Sequence, residues 1–328
     1  MNNPQKDTDV IKKFLRSRQW INGECTVSFL AAGEYNENYL VEAADSEAYV
    51  FRINHGSQLG LDDQISYEFT VLHAVAPSGV TPRPLHVEPA PGEFKGGVLL
   101  MEYLPGRPLH YPVDIHHAAR VFASIHALPV DNSLIVQANP VLDIANESHG
   151  LLTRFPGHPL KDEQKKLLDF HQLIQKKGED MQKEFQEKQM CMVNTEVNSH
   201  NFLIDDPNNR AYLVDWEKAV ISHRYQDLGH YLTPTTTLWK GNYIYSQDEK
   251  DRFLREYQSK LHTAIPLEEL RQKTRLLERT IILRGLSWCF MAWYEYTHSD
   301  RELKNEDTFN TIKRYMTDID WFLREDTV

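Results

Sequence analysis

Three side chains in the middle of the sequence have the types and spacing to move a phosphoryl group: Glu196, then Asn201 five residues on, then Asp215 a further fourteen along. A carboxylate placed beside an attacking hydroxyl can draw off its proton. An amide oxygen and a second carboxylate are the hard oxygen donors that Mg²⁺ takes, together with waters and nucleotide phosphates. The intervening chain suggests how residues fourteen apart could serve one ion. The apolar run 202–204, the turn Asp205-Asp206-Pro207-Asn208-Asn209 and the run 211–214 read as a short hairpin with Asn201 and Asp215 at its two ends. Glu196 precedes that hairpin, on the loop that would face an acceptor.

Such groups need elements to hold them. Residues 7–20 carry Val10, Ile11, Phe14 and Leu15 at helical spacing, which predicts a leading amphipathic helix. Residues 26–30, 39–43 and 48–53 read as three strands, with a loop at 33–38 between the first two. In the third strand Tyr49, Phe51 and Ile53 alternate with Val50 and Arg52, so Arg52 points away from the aromatic pair and needs a partner. Sixteen residues later Glu68 lies inside the helical pattern Ile65, Phe69, Leu72, Val75, which starts after Asp62 and stops at Pro77-Ser78-Gly79. Residues 81–87 and 97–104 are two further strands, the second ending at Pro105-Gly106. Beyond this break the patterns are helical: 114–128, a charged stretch with a thin apolar stripe at 160–189, then 247–261, 267–296 and 307–323.

The segment Met192 to Glu217 resembles the catalytic and metal loops of the aminoglycoside phosphotransferase and choline kinase family, relatives of the protein kinases. Their pattern is His-x-Asp-x-x-x-x-Asn followed by a metal-binding Asp. This chain keeps the spacing but has Asn194 in the His place and Glu196 in the Asp place. The resemblance covers about residues 26–293. It implies an α+β, bilobal, protein-kinase-like fold. Residues 1–104 would be an N-lobe of antiparallel sheet with one key helix, and 105–328 a helical C-lobe with the catalytic and metal loops and the acceptor pocket. It also implies site roles: Gly33, Asn36 and Asn38 on the loop that covers the nucleotide phosphates, and Arg52 paired with Glu68 and aimed at those phosphates. Backbone groups of Glu102 and Leu104 would meet the adenine edge, Glu196 would act as base, and Asn201 and Asp215 would hold Mg²⁺. Asp227, in the segment Arg224 to Tyr231, would brace the catalytic loop. The activity implied is transfer of the ATP γ-phosphoryl, with GTP as a possible donor, to a hydroxyl of a small molecule.

The Glu in the Asp place adds one methylene. General-base help is worth about 10² to 10⁴ in rate, and most of the work in phosphoryl transfer is done by metal charge and alignment. The change should therefore lower the rate without abolishing it. The competing reading is a degenerate kinase that binds nucleotide without transferring phosphate. A protein kinase fits poorly, because no Ala-Pro-Glu-like segment follows Asp215.

Composition narrows the partners. With 41% hydrophobic and 25% charged residues the chain is globular rather than disordered. A net charge of −11 without any Lys/Arg block argues against nucleic acid or an anionic membrane, and would welcome a cationic small substrate. Cys25, Cys191 and Cys289 are far apart and odd in number, so neither a disulfide framework nor a zinc site is suggested, and the cytoplasm is the expected compartment. The run 281–294 is too short to span a bilayer and is broken by Arg284. Trp288, Trp293, Tyr294 and Tyr296 with Glu295 could box a cationic ammonium, or simply pack. His116, His117 and His126 read as structural or solvated.

Overall fold

A computed structural model describes residues 4–33, 35–130, 133–185, 189–239, 241–261, 263–298 and 306–324. In chain order these form α1 (Pro4–Ser17), β1 (Cys25–Ala32), β2 (Asn36–Ala43), β3 (Ala48–Asn54), α2 (Gln64–Val75), β4 (Pro84–Glu88), β5 (Val98–Glu102) and the short β6 (Arg107–Pro108). Then come α3 (Ile115–His126), α4 (Pro140–Thr153), α5 (Lys161–Met181), β7 (Met190–Val193), β8 (Phe202–Asp205), β9 (Arg210–Leu213) and β10 (Val220–His223). The chain closes with α6 (Tyr225–Leu232), α7 (Pro234–Thr237), α8 (Gln247–Lys260), α9 (Leu267–His298), α10 (Glu306–Thr317) and α11 (Ile319–Phe322).

Internal contacts divide the chain into two units. The first takes the residues up to Arg107 and, from much later in the chain, Leu203–Ala219. The second takes Pro108–Val130, Ile135–Phe202 and the chain from Val220 onward. The break at Arg107 lies three residues past the boundary expected near 104. The return of Leu203–Ala219 to the first unit has no counterpart in the sequence patterns.

The first unit is built on an antiparallel sheet in the order β1-β2-β3-β5-β4. The pleat sends alternate side chains to opposite faces. Phe51 and Ile53 join Ile11, Phe14 and Leu15 of α1, with Val27, Tyr39, Val41, Val98 and Leu100, in one buried apolar cluster. Fully burying side chains of this size contributes roughly 1.5–3 kcal/mol each, so this face anchors the sheet. Asn36, Asn38, Arg52 and Asn54 are left on the other face. Asp63 starts α2 by accepting the Ser66 N–H at 3.1 Å, one turn before the buried Glu68. Near the end of this unit's first segment, Gly106 has φ +150°, and a Cβ there would stand 2.9 Å from the backbone nitrogen of Ile204, so only glycine fits.

The second unit is mainly helical. The long α9 packs against α4, α5, α6, α8 and α10, while α3 packs on α8. Two of these helices were not anticipated, the short α6 and, before it in the chain, α4. Its apolar positions Val141, Ile144, Ala145 and Leu152 do fall at helical spacing behind a proline in the first turn. Gly229 on α6 lets the helix approach α9, because a Cβ there would meet the Glu278 backbone nitrogen at 2.7 Å. Lys250 of α8 and Glu278 of α9 form a buried ion pair. β7 and β10 make a two-stranded antiparallel ribbon under the loop that follows Val193. Among the described residues no helix is long and apolar enough to cross a membrane.

Candidate active site

In the first unit, strand register does the positioning. Asn38 is opposite Arg52 and Asn36 is opposite Asn54, so four polar side chains share one face of β2 and β3. Arg52 is 6% exposed and Glu68 1%, which makes them a buried pair. The Arg52 guanidinium donates to the Glu68 carboxylate, to Asp215 Oδ1 at 3.2 Å and, through Nε, to Asn38 Oδ1 at 2.9 Å. Burial acts most strongly on both members of the pair. It raises the Glu68 carboxyl, against the pull of Arg52. It would lower Arg52, but the carboxylates of Glu68 and Asp215 more than reverse this, so the guanidinium holds its proton more firmly than usual. A permanent cation is thus fixed between a helix carboxylate and the carboxylate of Asp215.

Asp215 has φ +65°, in the left-handed region. Its neighbours hold it there: Trp216 is fully buried with its indole N–H on the Leu213 carbonyl at 2.9 Å, and Glu217 accepts Asn36 Nδ2 at 2.5 Å. The α2 residue Gln64, one turn from Glu68, donates to the Glu217 carbonyl at 2.7 Å.

The expected nucleotide contacts have these surroundings. The Gly33 N–H donates to the Asn36 carbonyl at 2.8 Å and closes the β1–β2 turn, whose residue 34 lies outside the described residues. Asn36 and Asn38 lie in β2 itself, and their side chains serve Glu217 and Arg52. The Glu102 N–H donates to the Arg83 carbonyl at 2.9 Å, its carboxylate accepts Arg83 Nε at 3.0 Å, and Leu104 is buried.

The second unit fixes the loop after β7. Both carboxylate oxygens of Asp227, in the first turn of α6, accept main-chain N–H groups at 2.9 Å, one from Asn194 and one from Thr195. Thr195 has φ +67°, a conformation that β-branched residues rarely adopt and that persists only where its surroundings over-determine it. Asn194 Oδ1 accepts the Glu196 N–H at 3.0 Å, and Asn201 Nδ2 donates to the Glu196 carbonyl at 2.7 Å. The latter bond fixes the orientation of the Asn201 amide, with Nδ2 on that carbonyl. The Ser199 N–H donates to the Tyr111 hydroxyl at 3.0 Å. His126 is buried between Asp227 and Tyr257, and its burial holds its pKa below the usual histidine range, as expected of a neutral structural ring.

The structure therefore brings Arg52, Glu68, Asp215, Asn36 and Asn38 together in the first unit, and Glu196, Asn201, Asn194 and Asp227 in the second. Glu217, Asn54 and Gln64 were not singled out from the sequence. An acidic side chain two residues after Asp215 was the one available signal, and nothing local tied it to β2. Of the aromatic residues of α9, Trp288 meets Trp239 and Tyr296 meets Phe309, while Trp293 and Tyr294 share His158 and His298 and Tyr294 also stacks on Phe155. Glu295 pairs with Arg154 at 3.6 Å.

An antiparallel sheet with a buried strand arginine and helix glutamate, followed by a helical part carrying a pinned Asn-x-Glu loop, defines a protein-kinase-like α+β fold. Solved structures share it at low identity. A Plasmodium vivax ethanolamine kinase superposes with a TM-score of 0.69 at 12% identity, covering 100% of this chain and 92% of that one. A choline/ethanolamine kinase family protein from Mesorhizobium loti gives 0.58 at 14%, covering 99% of both chains. The ADP-bound aminoglycoside phosphotransferase APH(2'')-Ib gives 0.56 at 16%, covering 94% and 99%. A comparison with curated proteins yields no match. Residues 26–276 match the model of the phosphotransferase enzyme family, and the chain belongs to that family.

Proposed function

We propose that this protein is a small-molecule kinase that moves the γ-phosphoryl of ATP, or of GTP, to a hydroxyl group in a magnesium-dependent reaction. The observation that carries the reading is the buried Arg52, held between Glu68 and Asp215. A cation kept charged and immobile in this way costs no reorganisation when it meets developing phosphate charge. Family membership supports the reaction class.

The residues present fit a magnesium ion. Asp215 of the first unit offers a carboxylate, and Asn201 of the second offers an amide oxygen whose orientation is set by the bond to Glu196. Both are hard oxygen donors. When bound, the ion would neutralise charge on the β- and γ-phosphates. Glu196 would accept the proton of the acceptor hydroxyl from a loop whose backbone is pinned by Asn194, Asp227 and Asn201. Gly33, Asn36, Asn38, Glu102 and Leu104 are assigned to the nucleotide end. For Asn36 and Asn38 the assignment is indirect, through the residues they hold. A nucleotide-consuming enzyme whose three cysteines are free and buried suits the cytoplasm.

The test is consumption of ATP and GTP across a panel of small hydroxyl compounds, amino alcohols included, with and without magnesium and with Asp215→Ala as the blank. Acceptor-stimulated turnover that the blank lacks is the expected result. Nucleotide binding without turnover on any acceptor would replace this reading with the degenerate kinase.

A further inference from the structure

The mechanism above leaves Glu217 unused, although its side chain is buried, 5% exposed, and held on several sides. One carboxylate oxygen accepts Asn36 Nδ2 at 2.5 Å and the other accepts Gln58 Nε2 at 3.3 Å, while its main-chain carbonyl accepts Gln64 Nε2. Asn36 and Asn54 are themselves only 6% exposed. Their hydrogen bonds run in one direction. The Gly56 carbonyl can only accept, so it fixes Asn54 with its amide nitrogen inward, at 2.9 Å. That nitrogen also donates to Asn36 Oδ1 at 2.8 Å, which leaves Asn36 Nδ2 as the end facing residue 217. Residue 217 must therefore present an acceptor.

The parallel rung two residues along β2 is Asn38, which holds Arg52, which in turn holds Asp215. The two asparagines of one strand face thus secure the turn at Asp215 from both sides. Asp215 needs this support, because its φ of +65° is not one it would keep alone.

We propose that Glu217 is a positioning residue: through the Asn54–Asn36 amide relay it ties the Asp215 turn to β2 and β3, and so sets the magnesium requirement for nucleotide binding. The proposal rests on the kinase reading for its magnesium role, and on the hydrogen bonds alone for the relay. Loss of an outer partner of a metal ligand typically weakens metal affinity about 10–100-fold. What the relay asks of residue 217 is an acceptor oxygen at Asn36, which a glutamine supplies and an alanine does not.

The experiment is a titration of a fluorescent ATP analogue at graded magnesium concentrations, for the wild type and for Asn36→Ala, Glu217→Ala and Glu217→Gln, with thermal melting of the apo proteins and of the Asn36→Ala/Glu217→Ala double variant. Both alanine variants should need roughly tenfold more magnesium for half-maximal binding. Glu217→Gln should keep the wild-type requirement, and the double variant should melt no lower than Glu217→Ala alone. If Glu217→Gln is as impaired as Glu217→Ala while Asn36→Ala behaves as wild type, the charge matters and the relay is overturned. Additive melting losses overturn it as well. A wild type that binds no nucleotide at any magnesium concentration overturns the kinase reading, and the magnesium role with it. A wild type that binds, with both alanine variants unchanged in magnesium requirement, overturns this proposal alone.

Discussion

Replacing Arg52 by alanine probes the feature on which the functional reading stands. The side chain is 7% exposed and its partner Glu68 1%, and the guanidinium supplies Glu68, Asp215 and Asn38 with hydrogen bonds at once. Arg52→Ala leaves the Glu68 carboxylate buried and uncompensated. Breaking a buried pair from one side costs about 3–5 kcal/mol. For a chain of 328 residues that is a fall in Tm of roughly 4–7 °C. The loss should also depend on pH, with a definite sign. Burial already raises the Glu68 pKa, and Arg52 is the main influence opposing it. Without Arg52 the folded-state pKa rises further above the unfolded value. A carboxyl of that kind is best tolerated when protonated: the penalty is absent below its unfolded pKa and grows as pH rises through its folded pKa. Urea denaturation of the apo protein, followed by circular dichroism at about pH 8 and about pH 5, should therefore show a gap from wild type that narrows on acidification. Arg52→Met combined with Glu68→Leu should recover most of the stability while nucleotide binding stays lost. A loss below about 1 kcal/mol, a gap that widens in acid, or a double variant as unstable as the sum of the singles would refute the buried-pair argument.

Three further outcomes are expected. Asp227→Asn offers one acceptor where two main-chain N–H groups need one each, so it should cost about 1–3 kcal/mol and lower turnover while nucleotide affinity holds; an unchanged kcat in steady-state assays would sink the bracing role. Gly229→Ala should destabilise by about 1–3 kcal/mol by pushing α6 off the Glu278 backbone, against the gain of up to about 1 kcal/mol from helix propensity; a stabilised variant would contradict the close approach. His223 is buried and its burial lowers its pKa to about 4. A base with a depressed folded pKa contributes stability above its unfolded pKa near 6.5 that is lost as pH falls toward 4, up to about 3 kcal/mol in all. His223→Gln should flatten that acid slope in pH-dependent denaturation, and an unaltered slope would count against it.

Much of the scaffold was legible because it depends on local periodicity. Alternation in 48–53 placed Arg52 opposite the aromatic face, helical spacing around Glu68 placed α2, and the turn residues 205–209 placed the hairpin between β8 and β9. The helix α4 was legible in principle, since its buried residues recur at helical spacing, but Gly150 and the polar residues within it weaken the pattern. The second half of the loop predicted at 33–38 is strand: β2 already begins at Asn36, where Asn54 stands opposite and extends the ladder. No local preference reports a partner of that kind.

What the sequence determined by itself was the order of chemical groups and the fold class. Glu196, Asn201 and Asp215 keep the spacing of a family whose model the chain matches over residues 26–276, and short-range patterns suffice to make sheet first and helices after. The tertiary structure decided how those groups are held. Thr195 is forced to φ +67° with no glycine to announce it, because both oxygens of a buried carboxylate 32 residues away claim the loop's N–H groups. Glu217 meets Asn36 across 181 residues. Such pairings arise only when whole elements pack, since burial then requires every polar group to find a partner, however distant it is along the chain.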